Sequence, residues 1–463
     1  MRYLRGLALC VVIAGVGLSA GVLRAAQSGK LATQEYVDEQ MPTGFQIVNS
    51  ELEGPVFANA AGLTLYIWPR SGMRVGTAGD QPGEPSHCTD IPSITTAGFT
   101  SPFPGDLQLP EADHRPTCMQ HWPPVLAAQG ARPIGKWTIV ERADGKKQWA
   151  RDGFPLYTSH LDHHRGETNG GSLRRGWDNI SNGAPREPAI PEPLVPTQFS
   201  VAAMFRGRML TTRNHESVYA FDGDTATRSS CNDRCVEKWR PLLAPEAALV
   251  QGPWNFAKRM DGQRQWTYRG MPLYTHVFDT KLESFEGSDV PGWHNVFMQL
   301  SPGLPKNFQL VDTRAGQVAA DAKGKTIYIY SCVEDTVDTL YCNSPDAPQQ
   351  YRWAMCGGGD PQKCLQMFPY VNAEENAKSD SLAWSVIYIN PMTGRLANAG
   401  DASALRVWAY RGRPVYTFSG DREPGDIEAD SWGQDHGQRN GFKAIWYRDD
   451  FRHNDGSDDY RPV

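Results

Sequence analysis

The amino-acid sequence predicts a mainly β protein made of three tandem β-rich repeat modules, each with two hairpin-containing halves. Three observations predict this fold class. The chain has 45 Gly, 34 Pro and 10% aromatic residues, a composition typical of loop-rich β proteins rather than helix bundles. Three segments align with one another at fixed spacings, which indicates a repeat architecture. Asp-Gly pairs lie between short alternating segments, as expected for hairpin turns.

The N-terminus predicts export. Two arginines stand among the first five residues, an apolar run follows over residues 7–23, and small residues close it at Ala25 and Ala26. We therefore expect residues 1–26 to be a signal peptide and the mature chain to be periplasmic or extracellular. The alternative is an uncleaved anchor, which would be the only membrane attachment. The apolar run is shorter than the ~20 residues that a membrane-spanning helix needs.

Charge and motif content argue against several classes of function. A net charge of −6 provides no basic field for nucleic acid. The chain has no C-x-x-C-H sequence for covalent haem, no glycine loop in a context that binds phosphate or dinucleotide, and no Ser-His-Asp pattern. The sequence therefore favours a non-enzymatic protein, and a divalent metal is the one cofactor that it suggests.

The repeat is visible when the chain is aligned with itself. Each copy opens with a strand-like segment, and the interval from a Gly to a Tyr is the same in all three copies: Gly54 to Tyr66, Gly207 to Tyr219, and Gly316 to Tyr328. Each copy closes with a second β unit that also ends in a Tyr, at Tyr157, Tyr274 and Tyr416. Six Tyr-ended units follow from this pattern, two in each module.

These units divide the chain into modules and connecting segments. We expect an N-terminal linker at 27–44, module 1 at 45–183, a Pro-rich linker at 184–197, module 2 at 198–300, a linker at 301–307, module 3 at 308–447 and a charged tail at 448–463. A single six-bladed β-propeller is the alternative architecture. The Pro-rich stretch favours separate modules, because a stiff spacer would be unusual between blades of one ring.

An aromatic motif with a following Asp recurs at the ends of these units. It is complete at Tyr219, Phe221 and Asp224 and at Tyr416, Phe418 and Asp421, and it is partial at Tyr66 and Trp68, Tyr157 and Asp162, Tyr274 and Asp279, and Tyr328 and Tyr330. Ser71 and Val333 stand where the Asp is lost. Over nearly all of residues 45–447 the chain resembles the secreted or lipoprotein tandem repeat defined by Y-x-[FWY]-x-x-D. That resemblance implies an envelope location and a repeat fold, and it implies no activity.

The motif has a structural interpretation and a functional one. Residues two apart in a strand point to the same face, so the Tyr and the second ring can build a core together. The Asp lies beyond the strand end, where its carboxylate can accept backbone N–H groups and fix a turn. In the functional alternative, several Asp residues line one rim and bind a cation or a polar ligand.

Eight cysteines follow the signal, an even number that favours disulfides in an exported chain. We expect Cys88–Cys118 and Cys231–Cys235, which lie at the same place in modules 1 and 2. In module 3 we favour Cys356–Cys364 and Cys332–Cys342, although four cysteines allow three connectivities. Buried free thiols and a zinc site are the alternatives.

One loop has the composition of a metal site. His160, Asp162, His163, His164 and Glu167 could supply nitrogen and oxygen ligands to zinc or copper. The alternative is a solvated histidine-rich loop. The functional hypothesis is therefore an exported cell-envelope β-repeat protein that binds an envelope or periplasmic partner, or a ligand, through its loops. The second hypothesis is an accessory or metal-binding component of a periplasmic electron-transfer system.

Overall fold

The computed structural model describes residues 34–68, 71–73, 76–91, 117–171, 187–332, 345, 349–430, 432–433 and 441–449. The predicted signal peptide and most of the predicted charged tail lie outside this part of the chain. None of the helices in the described part is long and apolar enough to cross a membrane.

The described part of module 1 consists of short antiparallel pairs around one four-residue helix. Its strands are β1 (Gln46–Ser50), β2 (Gly54–Ala58), β3 (Tyr66–Ile67), β4 (Ser71–Met73), β5 (Gly76–Ala78), β6 (Trp137–Glu141), β7 (Lys147–Arg151), β8 (Phe154–Pro155) and β9 (Glu187–Pro188), and its helix is α1 (Cys118–His121). β1 pairs with β2, β3 with β9, β4 with β5, and β6, β7 and β8 form a three-stranded meander. Thr117 and Gln120 form a capping box that starts α1.

Module 2 contains three small antiparallel sheets. Its strands are β10 (Phe199–Met204), β11 (Gly207–Thr212), β12 (Tyr219–Phe221), β13 (Trp239–Pro241), β14 (Trp254–Lys258), β15 (Arg264–Tyr268), β16 (Met271–Pro272), β17 (Tyr274–His276), β18 (Trp293–Asn295) and β19 (Phe297–Leu300), with 3-10 turns at Asp233–Glu237 and Glu286–Asp289. The sheet orders are β10-β11-β19, β13-β17-β12-β18 and β14-β15-β16.

Module 3 repeats this arrangement with two added helices. Its strands are β20 (Phe308–Thr313), β21 (Gly316–Asp321), β22 (Tyr328–Ser331), β23 (Trp384–Ile389), β24 (Leu405–Tyr410), β25 (Arg413–Tyr416), β26 (Gly441–Ala444) and β27 (Trp446–Asp449), and its helices are α2 (Gln350–Gly357) and α3 (Pro361–Met367). The order β20-β21-β27 matches β10-β11-β19, and β23-β24-β25-β22-β26 forms one five-stranded sheet.

The prediction of a mainly β chain with tandem repeats is confirmed. The described strands form separate small sheets, and no closed propeller is present among them. The same tight turn recurs before the second motif Tyr of each module, at Asp152-Gly153, Arg269-Gly270 and Arg411-Gly412. All six residues have positive φ, as the type I′ hairpin requires.

The described part of residues 184–197, predicted as a Pro-rich linker, contains a strand and packs against module 1. β9 pairs with β3, and the N–H of Ala189 donates to the carbonyl of Leu65 at 2.7 Å. The N–H of Phe57 donates to the carbonyl of Ala189 at 2.8 Å. Pro188 is tolerated because β9 is the edge of a two-stranded sheet, where a strand needs few N–H donors.

The described part of the predicted N-terminal linker also packs against folded structure. The carboxylate of Glu35 is buried and accepts from the Tyr268 hydroxyl at 2.8 Å and from the Arg269 guanidinium at 2.7 Å. The N–H of Leu194 donates to the carbonyl of Glu35 at 2.9 Å. Residues from 27–44 and 184–197 therefore join module 2 to module 1.

The tip of the first hairpin of module 1 reaches both other modules. The carboxylate of Glu51 accepts from the N–H of Leu382 at 2.7 Å and the hydroxyl of Ser381 at 2.8 Å, and Leu52 is buried in an apolar cluster of module 3. The Gln299 side chain of module 2 donates to the Glu51 carbonyl at 2.7 Å. This turn therefore fixes the position of module 1 against modules 2 and 3.

Modules 2 and 3 also contact each other directly. Both terminal guanidinium nitrogens of Arg448 lie 2.5 Å from the carboxylate of Asp289, and this contact lowers the pKa of that carboxyl. The guanidinium of Arg206 lies over the rings of Phe285, Phe297 and Tyr447, with centroids 5.2 to 5.5 Å away. A fork-shaped ion pair and a three-ring cation–π contact thus join the two modules.

Candidate functional site

The two motif tyrosines of each module lie opposite each other on adjacent antiparallel strands. Tyr219 of β12 pairs with Tyr274 of β17, and Tyr328 of β22 pairs with Tyr416 of β25. Tyr66 and Tyr157 form the equivalent bridge in module 1. This pairing relates the two halves of a module by an approximate two-fold axis, which passes between the tyrosines.

The first tyrosine of each module donates a hydrogen bond to the Asp of the second half. The hydroxyl of Tyr66 lies 2.7 Å from the carboxylate of Asp162, and that of Tyr328 lies 2.9 Å from Asp421. In module 2 the Tyr219 hydroxyl lies 2.9 and 3.1 Å from the two oxygens of Asp279. In each module the first motif Tyr is therefore hydrogen-bonded to the Asp of the other half of that module, not to an Asp of its own half.

The second tyrosine donates back to the first half in modules 1 and 2. The hydroxyl of Tyr274 lies 2.6 Å from Asp224, and that of Tyr157 lies 2.5 Å from Asp80. Asp80 was missed by sequence reasoning, which found only Ser71 at the expected place. The hairpin β4–β5 is inserted between Trp68 and Asp80, and the N–H of Asp80 still donates to the carbonyl of Trp68 at 2.8 Å. The Asp224 N–H donates in the same way to Phe221.

In the described part of module 3, a buried arginine lies beside the second motif tyrosine. Arg352 of α2 is fully buried and donates to the Tyr370 hydroxyl at 2.8 Å. Its guanidinium carbon lies 5.2 Å from the ring centroid of Tyr416, and the Tyr370 and Tyr416 rings are 5.0 Å apart. Val333, where the sequence loses the Asp, lies outside the described residues. No sequence signal identified Arg352.

Three motif Asp residues also close the loop that follows them. The second oxygen of Asp162 accepts from the N–H of Asn169 at 2.8 Å, and that of Asp421 accepts from the N–H of Glu428 at 3.1 Å. Asp224 accepts from the N–H of Ser230 at 2.7 Å. The predicted backbone contacts of the motif Asp are therefore present in these loops. The tyrosine from the other half of the same module is a second partner that the sequence did not predict.

Burial gives these carboxyls unusual proton affinities. It raises the pKa of Asp162 to about 7, although hydrogen bonds from Tyr66 and the N–H of Asn169 lower it. Burial likewise raises the pKa of Asp421 to about 6 and raises that of Asp279. The tyrosine hydroxyls have raised pKa values for the same reason, as at Tyr66 and Tyr328. None of these phenols would ionise near neutral pH, so they act as hydrogen-bond donors.

Three segments of the chain match a family model described as a secreted repeat of unknown function, over residues 138–173, 201–243 and 255–296. The chain contains this secreted repeat. Each matched segment holds one motif Tyr and one motif Asp, so the repeat corresponds to half a module. No curated protein and no solved structure matches the chain.

Aromatic rings of the secreted repeat stack across the two-fold axis. In module 2 the ring centroids of Phe221 and Trp293 are 4.7 Å apart, those of Trp293 and Trp239 are 3.7 Å apart, and those of Trp239 and His276 are 4.3 Å apart. His276 stands where the motif has its second ring, and its Nδ1 lies 2.9 Å from Asp279. The residues at the second ring position of the two halves, Phe221 and His276, therefore lie at the two ends of the stack, with Trp293 and Trp239 between them.

Module 3 has the same stack with different residues. The centroid distances are 5.3 Å from Tyr330 to Phe442, 3.6 Å from Phe442 to Phe368, and 4.9 Å from Phe368 to Phe418. The register of β22 and β26 places Phe442 opposite Tyr330. Phe442 is thus the counterpart of Trp293. In both modules the motif rings are core residues, as the structural interpretation expects.

The loop predicted to bind metal uses its carboxylates internally. Asp162 is bonded to Tyr66 and Asn169, and Glu167 accepts from the N–H groups of His163 and His164 at 2.5 and 2.9 Å. His164 Nδ1 lies 2.9 Å from Glu167. Among the described residues, no group of three or more His, Cys, Asp or Glu side chains is placed to hold a metal. Metal binding by His160, Asp162, His163, His164 and Glu167 stays a prediction.

The same loop docks onto module 3. The guanidinium of Arg411 donates to the carbonyl of Thr168 and lies 3.4 Å from the carboxylate of Glu53, and the guanidinium of Arg413 donates to the carbonyl of Asn169. Both arginines are buried at the Arg411-Gly412 turn. The loop that Asp162 closes is therefore part of the contact between modules 1 and 3.

Three predicted disulfides are confirmed. Cys88–Cys118, Cys231–Cys235 and Cys356–Cys364 are bridged. Cys332 is disulfide-bonded as well, and Cys342, its predicted partner, lies outside the described residues. The Cys-x-x-x-aromatic spacing places the second cysteine of each of the three bridges in the same apolar cluster as a buried ring, at Trp122, Trp239 and Phe368.

Proposed function

We propose that the chain is a non-catalytic scaffold of the cell envelope, in the periplasm or outside the cell, that binds a partner protein through copy-specific surface residues. The single observation that carries this proposal is the use of the motif groups. The tyrosine hydroxyls and aspartates of the secreted repeat are bonded to each other and to loop amides. Because these motif groups bond to one another within the fold, their role is structural. Recognition of a partner protein then depends on surface residues that differ between the copies.

Phe278 is the clearest such residue in the described part of module 2. Its side chain is 59% exposed, and its ring centroid lies 5.7 Å from that of His276, at the end of the aromatic stack. The residues just before the second motif Asp in modules 1 and 3 are Leu161 and Gly420, so the exposed ring is specific to module 2. Aromatic side chains on a rigid support are common anchors of protein interfaces.

In-cell photo-crosslinking tests this proposal. A photoreactive phenylalanine analogue at position 278 of the full chain, expressed in its own host, should yield an adduct of discrete mass with a second protein. The same analogue at Lys258, an exposed position of β14, is the matched control and should yield none. Adducts of equal yield at both positions, or none at position 278, would contradict the proposal.

Electron transfer is the second candidate, and the continuous ring stack of module 2 is the observation that favours it. Closely spaced aromatic rings and a metal-binding loop would suit an accessory of a redox system. Metal analysis of the purified protein and calorimetry with zinc or copper test it. A single site that disappears in a His160/His163/His164 triple alanine variant would support this candidate. Equal metal binding by that variant would show that this loop is not the metal site.

A further inference from the structure

Module 2 contains a disulfide unlike those of the other two modules. Cys231 and Cys235 are 4 positions apart, whereas the bridged cysteines of modules 1 and 3 described above are 30 and 8 positions apart. All four cysteines of those longer bridges are at most 3% exposed. Cys231 is also buried, but Cys235 is only half-buried. The module 2 bridge therefore has one protected end and one accessible end.

The loop inside this bridge has a strained backbone. Asp233 lies between the two cysteines with φ of 50°, in the left-handed region that residues other than Gly rarely adopt. A short closed loop also restricts the unfolded chain less than a long one, so this bridge gains less stability from closure than the other two.

A buried cation contacts the loop of the bridge. The buried guanidinium of Arg259 donates to the carbonyl of Cys231 at 3.0 Å and lies 3.3 Å from Asn232 Oδ1. The exposed residues that flank Cys235 carry charges of both signs: Asp233, Arg234, Glu237 and Lys238. Cationic neighbours stabilise a thiolate, so they favour the release of a cysteine sulfur as a leaving group.

We propose that Cys231–Cys235 is a thiol–disulfide exchange site for a dithiol oxidoreductase in the compartment to which the chain is exported. A thiolate of the dithiol attacks Sγ of Cys235, a new S–S bond forms, and the bond to Cys231 breaks with its electron pair on Sγ of Cys231. The second thiolate of the partner then attacks the partner's sulfur in this mixed disulfide and releases Cys235. The dithiol becomes a disulfide, and its two electrons and two protons end on the two cysteines.

Titration with dithiothreitol tests the proposal on the full, oxidised protein. After acid quenching and alkylation, peptide mass spectrometry should show Cys231 and Cys235 reduced at a dithiothreitol concentration at least 10-fold lower than the other bridges need. The near-ultraviolet circular dichroism should be unchanged at that concentration. Opening of all bridges together, or opening only as the fold is lost, would overturn the proposal.

Two single variants test the direction of attack. Cys231→Ser leaves the thiol of Cys235, and Cys235→Ser leaves that of Cys231. With glutathione disulfide, Cys235 should form a mixed disulfide at least 10-fold faster than Cys231, because it is the accessible end. Equal rates, or a faster reaction at Cys231, would overturn the assignment. If a variant fails to fold, the dithiothreitol titration of the unaltered chain decides.

Discussion

The hydroxyl of Tyr219 contacts both carboxylate oxygens of Asp279, at 3.1 and 2.9 Å, although the two residues belong to different halves of module 2. The equivalent contact recurs in module 1 and in module 3. It means that half a module leaves buried polar groups without partners. A complete module of two halves is therefore the smallest unit in which this Tyr hydroxyl and this Asp carboxylate both have their hydrogen-bond partner.

Removal of the Tyr219 hydroxyl should destabilise the chain. We expect Tyr219→Phe to lower the free energy of unfolding by about 1–3 kcal/mol, because the Asp279 carboxylate loses a buried donor. Urea denaturation of the full chain measures the change. Tyr388→Phe, at a half-exposed position of β23, is the matched control and should change stability by less than about 0.5 kcal/mol. Equal effects of the two variants would contradict a structural role for the Tyr219 hydroxyl.

The carboxylate of Asp224 should contribute to stability and not only to binding. Asp224→Ala removes the acceptor for the Tyr274 hydroxyl and the Ser230 N–H, so we expect a loss of about 1–3 kcal/mol. Phe221→Ala, which removes a ring stacked on Trp293, should cost about 3 kcal/mol. Both are read from urea melts without ligand. If Asp224→Ala melts like the parent, the rim-binding interpretation becomes the better one.

The stability of the chain should fall as pH rises from about 4 toward neutrality. The pKa of Asp162 is raised by burial from 3.8 to about 7, so the folded state holds this proton more tightly than the unfolded state does. The resulting stability is fully present below pH ~4 and is lost as pH rises toward 7, at ~1.4 kcal/mol per pH unit from this group. Asp421, with a pKa of about 6, acts in the same direction.

The variant Asp162→Asn isolates this contribution. The amide cannot ionise, so the dependence of unfolding free energy on pH between 5 and 7 should become weaker by about 1 kcal/mol per pH unit. Urea melts at several pH values for both proteins provide the comparison. Parallel curves for the parent and the variant would show that Asp162 does not titrate in this window.

The contact between modules 1 and 3 should depend on the arginine turn. Arg413→Ala removes a buried donor to the Asn169 carbonyl, and we expect a loss of about 1–3 kcal/mol together with a less cooperative unfolding transition. Differential scanning calorimetry would detect a separate transition of module 1. Arg240→Ala, at an exposed position of β13, is the control and should leave a single transition. An unchanged transition in Arg413→Ala would contradict this role.

Local spacing in the sequence was enough to predict the repeats, the β class, the Asp-Gly turns and three disulfides. These features depend on residues close together or on an interval that recurs, such as the twelve positions from Gly207 to Tyr219. The backbone contacts of the motif Asp also belong here, since Asp224 and Ser230 are close neighbours in the chain. Propensity and periodicity act over such distances.

Only the tertiary structure decided which residues from distant parts of a module contact one another. Asp80 is the counterpart of Asp224 after an inserted hairpin, and Arg352 of α2 lies against Tyr416. Glu187 and Pro188 have a composition that predicts a spacer, yet they form the strand beside Tyr66. The physical reason is that a buried polar group or an unpaired strand edge forms hydrogen bonds with whichever groups the folded chain places beside it. These groups lie 50 to more than 100 positions apart in the chain, beyond the reach of local sequence pattern.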